Sequence, residues 1–207
     1  MLQLGGEKMS KSLGNIISIK EFLSKREADV MRMLVLNGTY RAPLLFNDDT
    51  LDAAEKNVER LKSALRPASA SGSGLVPESM TYLASTVDSA KANFTEAMDS
   101  DFNTAGAIAA LFELTKAINT SRDNGATDEQ LKSAQSTFRE LAIVLGLKLE
   151  EKQGSGEQET KVNALIAERN EARKQKQWAL SDEIRDKLKE LGVTIEDSKD
   201  GTTWRWG

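Results

Sequence analysis

The sequence of 207 residues contains neither cysteine nor histidine. Without cysteine it can form no disulfide and no thiolate metal site, and it has no thiol nucleophile. Without histidine it lacks the usual general base near neutral pH and the commonest metal ligand. These absences argue against a complete hydrolytic or redox active site, and we predict no metal site in this chain. They favour an accessory portion of an enzyme, or a binding protein.

Proline and aromatic residues are also scarce, with three prolines and 5% aromatics. Abundant Ala, Leu, Glu and Lys favour helices instead. The sequence has no run of about 18 apolar residues, the length that a membrane-spanning helix needs. Its first residues have neither the basic end nor the apolar core of a signal peptide. We therefore expect a soluble, cytoplasmic protein with no membrane partner.

The net charge of −4 is unevenly distributed along the chain. Residues 51–160 carry 17 acidic and 11 basic side chains, whereas residues 161–207 carry 9 acidic and 10 basic ones. Non-specific binding to nucleic acid should therefore be weak. A specific local contact with nucleic acid is compatible with the balanced charge of the last segment.

One stretch near the amino terminus suggests chemistry on phosphates: Glu7-Lys8-Met9-Ser10-Lys11-Ser12-Leu13-Gly14-Asn15. Two lysines three residues apart, with serine hydroxyls among them, suit a polyphosphate, because ammonium groups supply compact charge and rotatable donors. The spacing is not that of a P-loop. On composition alone, a solvated surface loop is the favoured interpretation of the same residues.

Helix signals cover most of the remaining sequence. Ser18 and Glu21 have the spacing of a capping box, a helix from about Ala28 to Asn37 should end at Gly38, and Asn47 begins another helix. Residues 67–79 read as a flexible linker, and three more helices follow it. We interpret Asp99 and Asp101 as helix caps rather than as an acid/base pair.

The end of the chain has a different pattern. After a second polar linker at 150–160 come two helices with a break near 177–178. Two β-prone runs then flank an Asp-Gly turn, which predicts a hairpin. The fold class is therefore mainly α. We expect three parts: the lysine-serine signature loop with its hinge or connecting helices (residues 1–47), an antiparallel helical bundle (48–150), and a small α+β module of two helices and a β-hairpin (161–207).

The lysine-serine stretch resembles the signature loop of class I aminoacyl-tRNA synthetases, and residues 27–32 resemble the helical hinge that follows it in that class. The order of the segments along the chain is similar to that of the cysteinyl-tRNA synthetase family. The matching stretches are 7–15, 40–41, 96–104, 172–174, Trp178, 182–186 and 201–205. Thr39 departs from the family, which more often has histidine at that position. The catalytic nucleotide-binding fold and the zinc site of that family precede this loop, so we expect a carboxyl-terminal half that is inactive alone.

The resemblance implies a function and its residues. The complete enzyme would activate cysteine with ATP and magnesium and transfer it to tRNA(Cys), with a zinc ion whose ligands are not in this chain. The family's ATP-closing loop corresponds to Lys8, Met9, Ser10, Lys11 and Ser12, with Lys8 and Lys11 assisting catalysis. Anticodon recognition would fall to Arg173, Trp178, Asp182 and Asp197. Stacking aromatics, guanidinium donors and carboxylate acceptors suit unpaired bases.

Other interpretations of these residues remain open. Trp178 and Trp204 would be core residues of a small module, and Asp182 and Asp197 solvated charges; for Trp204 we favour the core. A non-catalytic helical RNA-binding or interaction protein is the alternative function, against which the lysine loop argues. A related ligase that makes a small thiol would not need the anticodon residues.

Overall fold

The computed structural model describes residues 2–4, 7–8, 17–38, 41, 43–69, 72–150, 156–198 and 201–206. Its contacts divide the chain into two compact units, unit 1 (Met1–Leu149) and unit 2 (Glu150–Gly207). The predicted mainly α fold is confirmed. None of the helices in the described ranges is long and apolar enough to span a membrane.

Unit 1 contains three short strands and six helices among its described residues. These are β1 (Leu2–Leu4), β2 (Glu7–Lys8), α1 (Ile19–Lys25), α2 (Ala28–Asn37), β3 (Leu44–Phe46), α3 (Asp48–Lys62), α4 (Pro77–Asp99), α5 (Thr104–Asp123) and α6 (Asp128–Val144). A 3₁₀ turn, Ser63–Leu65, follows α3. The strands form a small sheet in the order β2-β1-β3, with β1 antiparallel to β2 and parallel to β3.

The helix boundaries of unit 1 follow from local capping chemistry. The Ser18 hydroxyl accepts from the Glu21 N–H at 3.1 Å and begins α1. Asn47 and Thr50 form a capping box at the start of α3, as do Thr127 and Gln130 at the start of α6. Each box satisfies backbone donors that the first helical turn leaves unpaired. The predicted helix over 28–37 is confirmed with its ends unchanged.

A single hydrophobic core runs through all of unit 1. Apolar residues recur three and four apart along each helix and point inwards. Among those with almost no exposed surface are Met33, Leu61, Leu111, Leu114, Ile118, Leu131 and Phe138. Helices α1 and α2 therefore share their core with helices α3 to α6. The three-part division at 1–47, 48–150 and 161–207 stays a prediction.

The described residues between α3 and α4, 66–69 and 72–76, are packed on the turn between α5 and α6, although the composition of this segment is that of a flexible linker. The Ala68 N–H donates to Asp128 Oδ1 at 2.6 Å, and the Leu75 N–H donates to Gln130 Oε1 at 2.9 Å. A Cβ added at Gly72 would lie 2.9 Å from two backbone carbonyl oxygens of that turn. The small residues therefore allow a close backbone approach, and the prediction of a free linker is wrong here.

The turn between α4 and α5 corrects the assignment of Asp99 and Asp101 as caps. The cap of α5 is Asn103, whose side chain accepts from the Gly106 N–H at 3.0 Å. Asp99 is the last residue of α4, and Asp101 forms an ion pair with Arg41 at 2.8 Å. Asp101 and Phe102 have φ values of 57° and 52°. This strained turn is held by its backbone hydrogen bonds, and the exposed ion pair adds little to its stability.

Unit 2 consists of α7 (Gly156–Lys174), α8 (Trp178–Glu190), β4 (Val193–Ser198) and β5 (Gly201–Trp206). The two strands form the predicted antiparallel hairpin, closed by the pair Ser198 and Gly201. Its core is small and comprises Val162, Ile166, Ile184, Leu188 and Val193. Trp204 packs against this core and donates from Nε1 to Asn163 Oδ1 at 2.8 Å, which confirms its structural role.

The turn between α7 and α8 places Lys176 in the left-handed region, with φ 58°. The Gln177 N–H donates to the Ala172 carbonyl and the Lys176 N–H to the Arg173 carbonyl, the pattern of a Schellman motif. Glycine is preferred at this position because a Cβ is disfavoured there. We therefore expect Lys176→Gly to stabilise unit 2 by about 0.5–1 kcal/mol.

Tryptophan fluorescence during urea unfolding measures this change, because all three tryptophans, Trp178, Trp204 and Trp206, lie in unit 2. Lys174→Gly is the matched control. It removes the same charge type from the last turn of the helix and should destabilise by about 1 kcal/mol. Equal destabilisation by both variants would contradict the strain assigned to Lys176.

Candidate nucleic-acid interface

The residues predicted to contact ATP lie at the edge of what the structure describes. Lys8 is the second residue of β2, and its backbone pairs with Gln3 of β1. Met9, Ser10, Lys11 and Ser12 lie outside the described residues. Their role in ATP binding stays a prediction that rests on the sequence.

Helix α2, the second helix after this loop, is fixed to the last residues of unit 1 by a buried carboxylate. Asp29 is 6% exposed, and its Oδ2 accepts from the backbone N–H groups of Lys148 and Leu149 at 3.1 and 2.7 Å. Its Oδ1 accepts from Arg32 Nη1 at 2.7 Å. Leu149 has φ 53°, so consecutive N–H groups converge on one anion. We call this arrangement the Asp29 clasp.

Two of the predicted anticodon residues meet in unit 2, where α7 faces the hairpin. Asp197, on β4, accepts from Arg173 Nη1 through Oδ2 at 2.6 Å. Arg169 lies one helical turn before Arg173 and donates to both oxygens of Asp197 at 3.0 and 2.8 Å. The Thr202 hydroxyl donates to Asp197 Oδ1 at 2.7 Å. Four hydrogen bonds thus fill the roughly four acceptor positions of this carboxylate.

Charge pairing dominates the electrostatics of this network. The Arg169 hydrogen bonds hold the pKa of Asp197 well below its usual range, and the Thr202 hydroxyl acts in the same direction. In return, the hydrogen bond to Asp197 raises the pKa of Arg169, and Asp182 adds a smaller electrostatic effect. The side chain of Arg169 is 6% exposed, whereas that of Arg173 is 42% exposed. Arg169 is therefore the buried anchor, and Arg173 presents its free N–H groups to solvent.

Trp178 and Asp182 lie on α8 and share one of its faces, as predicted from their spacing of four residues. Trp178 is the first residue of the helix, and 59% of its surface is exposed. Asp182 is exposed one turn further along. Burial of Ser181, Ile184 and Leu188 turns this face away from the core. Trp178 is therefore not a core residue.

Sequence reasoning missed Arg169, Asn170 and Thr202 as members of the site. The Thr202 hydroxyl, which bonds Asp197, also contacts Asn170 Oδ1 at 2.9 Å. For Arg169 a signal exists, because Val162, Ile166, Arg169 and Arg173 follow one another at steps of three and four. An arginine on such an apolar stripe needs a buried partner. The partner itself lies 28 residues away on the hairpin.

These side chains form a surface that suits unpaired nucleotides. An exposed indole can stack on a base, a fixed guanidinium can donate to a base edge or phosphate, and a carboxylate can accept from base amino groups. Among the described residues, no group of three or more carboxylates could hold a metal ion.

Comparison with known families agrees with this interpretation. Three family models match the chain, at residues 1–56, 93–150 and 156–205. They are, in that order, a class I tRNA synthetase catalytic domain, a DALR domain and a cysteinyl-tRNA ligase anticodon binding domain. The match over residues 1–56 places the chain among the class I aminoacyl-tRNA synthetases.

Individual relatives define the family more closely. The chain is 38% identical over 210 residues to a cysteine–tRNA ligase of Bacillus pumilus, covering 100% of the chain and 44% of the relative. It is 39% identical to those of Dehalococcoides mccartyi and Methylococcus capsulatus, covering 99% of the chain and 43% and 44% of the relatives. The chain therefore belongs to the cysteine–tRNA ligase family. It spans less than half the length of these curated relatives.

Proposed function

We propose that this chain is the tRNA-binding portion of a cysteine–tRNA ligase, and that unit 2 reads the anticodon of tRNA(Cys). The observation that carries the proposal is the pairing of an exposed Trp178 with an Arg173 that Asp197 holds in place. Both residues fall in the segment that matches an anticodon-binding model. The complete protein would activate cysteine with ATP and transfer it to the tRNA, in the cytoplasm.

Each side chain has a distinct role in base recognition. Trp178 stacks on one unpaired base, a contact available to any base. Asp182 accepts from a base amino or imino group, and an unpaired carboxylate opposes bases that lack such a donor. Arg173 donates to a base edge or a phosphate. We propose that Asp197 acts mainly by positioning Arg173, because its own acceptor positions are engaged; a direct contact of Asp197 with a base stays a prediction.

We assign the signature loop to the adenylation step. Lys8 and Lys11 would offset charge on the ATP phosphates, which magnesium would also neutralise, while Met9, Ser10 and Ser12 complete the loop. This assignment rests on the sequence string and on the catalytic-domain match over residues 1–56. The zinc ion of the complete enzyme would be bound by residues outside this chain, which has no cysteine or histidine.

Binding of transcripts to the full chain tests anticodon recognition. We expect Trp178→Ala to weaken binding of tRNA(Cys) by about 1–3 kcal/mol, the usual value of one base–aromatic stack. A tRNA(Cys) transcript with a substituted anticodon should lose far less affinity, because Asp182 already opposes its bases at this position and they gain little from the stack. An equal loss for both transcripts would contradict base reading by unit 2.

Lysine substitutions in the complete ligase test the loop. Lys8→Ala with Lys11→Ala should strongly depress adenylate formation, measured by pyrophosphate exchange, and leave tRNA affinity unchanged. This chain alone is expected not to aminoacylate. Unchanged exchange in the double variant would instead favour the second candidate function, a non-catalytic helical RNA-binding protein, which the exposed Trp178 face also suits.

A further inference from the structure

A groove runs along unit 2 beside the residues assigned to base reading. It measures about 520 Å³ and lies between the exposed face of α8 and strand β4. Its lining residues are Asp182, Arg185, Asp186, Lys189, Val193, Thr194 and Ile195. Asp182 belongs both to this groove and to the base-reading face, so the groove continues from that face.

The groove carries two cations whose charge is available for a ligand. Arg185 and Lys189 are exposed on α8, four residues or about 6 Å apart along the helix axis. Within the described part of the chain, neither forms an ion pair. They lie on the same stripe of α8 as Trp178 and Asp182, because these four residues follow one another at steps of four, three and four. Lys187, by contrast, lies on the other flank and pairs with Glu183 at 2.8 Å.

The opposite wall of the groove is a strand edge. β4 pairs with β5 on one side, and its other edge has no strand partner among the described residues. Backbone N–H and C=O groups on such an edge are free to bond a ligand. Val193 is buried and Ile195 is partly buried, so these two residues give the β4 wall an apolar part. Stacking, cationic and hydrogen-bonding groups thus line one continuous path.

We propose that this groove holds the sugar-phosphate backbone of the anticodon loop, with Arg185 and Lys189 on successive phosphates. The proposal rests on the proposed function and extends it from the bases to the backbone. Single-stranded nucleic acid binds where a basic groove tracks the backbone beside stacking aromatics. Asp182 and Asp186 line the same groove and repel phosphate, so the two phosphates would lie against Arg185 and Lys189, and the strand is restricted to one register.

The test compares salt-dependent binding of tRNA(Cys) transcript to three variants of the full chain. Arg185→Ala with Lys189→Ala should lower the affinity roughly 25-fold at 0.1 M salt and reduce the slope of log K against log[salt] by about 1.4, since each phosphate contact on a single strand contributes about 0.7. The loss should be the same for a transcript with a substituted anticodon, because phosphates carry no sequence information. Arg185→Lys keeps the positive charge and should leave the slope of log K against log[salt] as in the unchanged chain.

Two controls separate failure of this proposal from failure of the proposed function. Lys187→Ala removes the same charge from the other flank and should leave the slope unchanged; an equal reduction would show only a net-charge effect and overturn the proposal. If the double variant binds normally while Trp178→Ala loses tRNA(Cys) affinity, the groove assignment is wrong and base reading stands. If neither variant matters, the proposed function is wrong as well. A circular-dichroism spectrum confirms that these exposed substitutions leave the fold intact.

Discussion

Replacing Asp197 with alanine is expected to unfold much of unit 2 and to abolish the proposed recognition of the cysteine anticodon. The substitution leaves the guanidinium of Arg169, which is 6% exposed, without its carboxylate. Removing one partner of a buried ion pair destabilises by about 3–5 kcal/mol, and partial exposure of Asp197 lowers this to about 2–3 kcal/mol. A module with so small a core has little stability to lose. Arg173 would also lose the partner that orients it.

Tryptophan fluorescence and tRNA binding measure the two effects of this variant. Asp197→Asn keeps the shape and one acceptor, so it should retain the fold better than alanine but still weaken Arg173-dependent binding. Glu183→Gln is the control, because it removes an exposed carboxylate from the same unit and should leave the unfolding midpoint unchanged. A folded, tRNA-binding Asp197→Ala variant would contradict the network.

The acidity of Asp197 adds a pH dependence with a definite sign. Its pKa is lowered in the folded state by the Arg169 hydrogen bonds. The unfolded chain therefore binds a proton more readily, and stability rises with pH in the window between the two pKa values. The contribution is complete above the unfolded pKa of about 4 and is lost as the pH falls below it. Asp197→Asn should remove this part of the acid sensitivity of unit 2.

Replacing Asp29 with alanine should be the most destabilising change in unit 1. The substitution removes three hydrogen bonds to a buried anion and leaves the N–H of the buried Leu149 unpaired. Hydrogen bonds to charged groups are worth about 1.5–3 kcal/mol each, and an unpaired buried donor is unfavourable. We expect a net loss of about 3–5 kcal/mol.

Urea unfolding followed by circular dichroism measures this loss, and tryptophan fluorescence should show unit 2 unfolding as before. Asp88→Ala is the matched control, since Asp88 is exposed in the middle of α4. It should change the stability by no more than about 0.5 kcal/mol. A similar midpoint for both variants would show that the clasp contributes little.

The sequence predicts those parts of the fold that depend on neighbouring residues. Capping at Ser18 and Asn47 determines where α1 and α3 begin, and Gly38 marks the end of α2. The Asp-Gly signal predicts the hairpin of unit 2 for the same reason, since a short turn constrains both strands. Such signals are short-range and can be read without knowing the tertiary structure.

The parts that could not be predicted depend on distant residues. The sheet of unit 1 pairs β1 with β3, about forty residues later, through strands too short to show an alternating pattern. The docking of the segment around Gly72 depends on carbonyl groups of the α5–α6 turn. Within the site, helical spacing does predict that Trp178 and Asp182 share a face. The role of Arg169 could not be predicted, because its partner Asp197 is brought to it by the hairpin, 28 residues later.

The Asp29 clasp also sets an order of events during synthesis, because α2 cannot form these hydrogen bonds until the end of unit 1 has been made. The N–H groups that bind Asp29 belong to residues 119 and 120 positions later in the chain. At 5–20 residues per second, a ribosome needs about 6–24 s to add them. Helices α4, α5 and α6 make contacts much closer in sequence and can pair as they emerge. Although α2 can pack against α3 early, its clasp therefore closes only after residue 149 has left the ribosome.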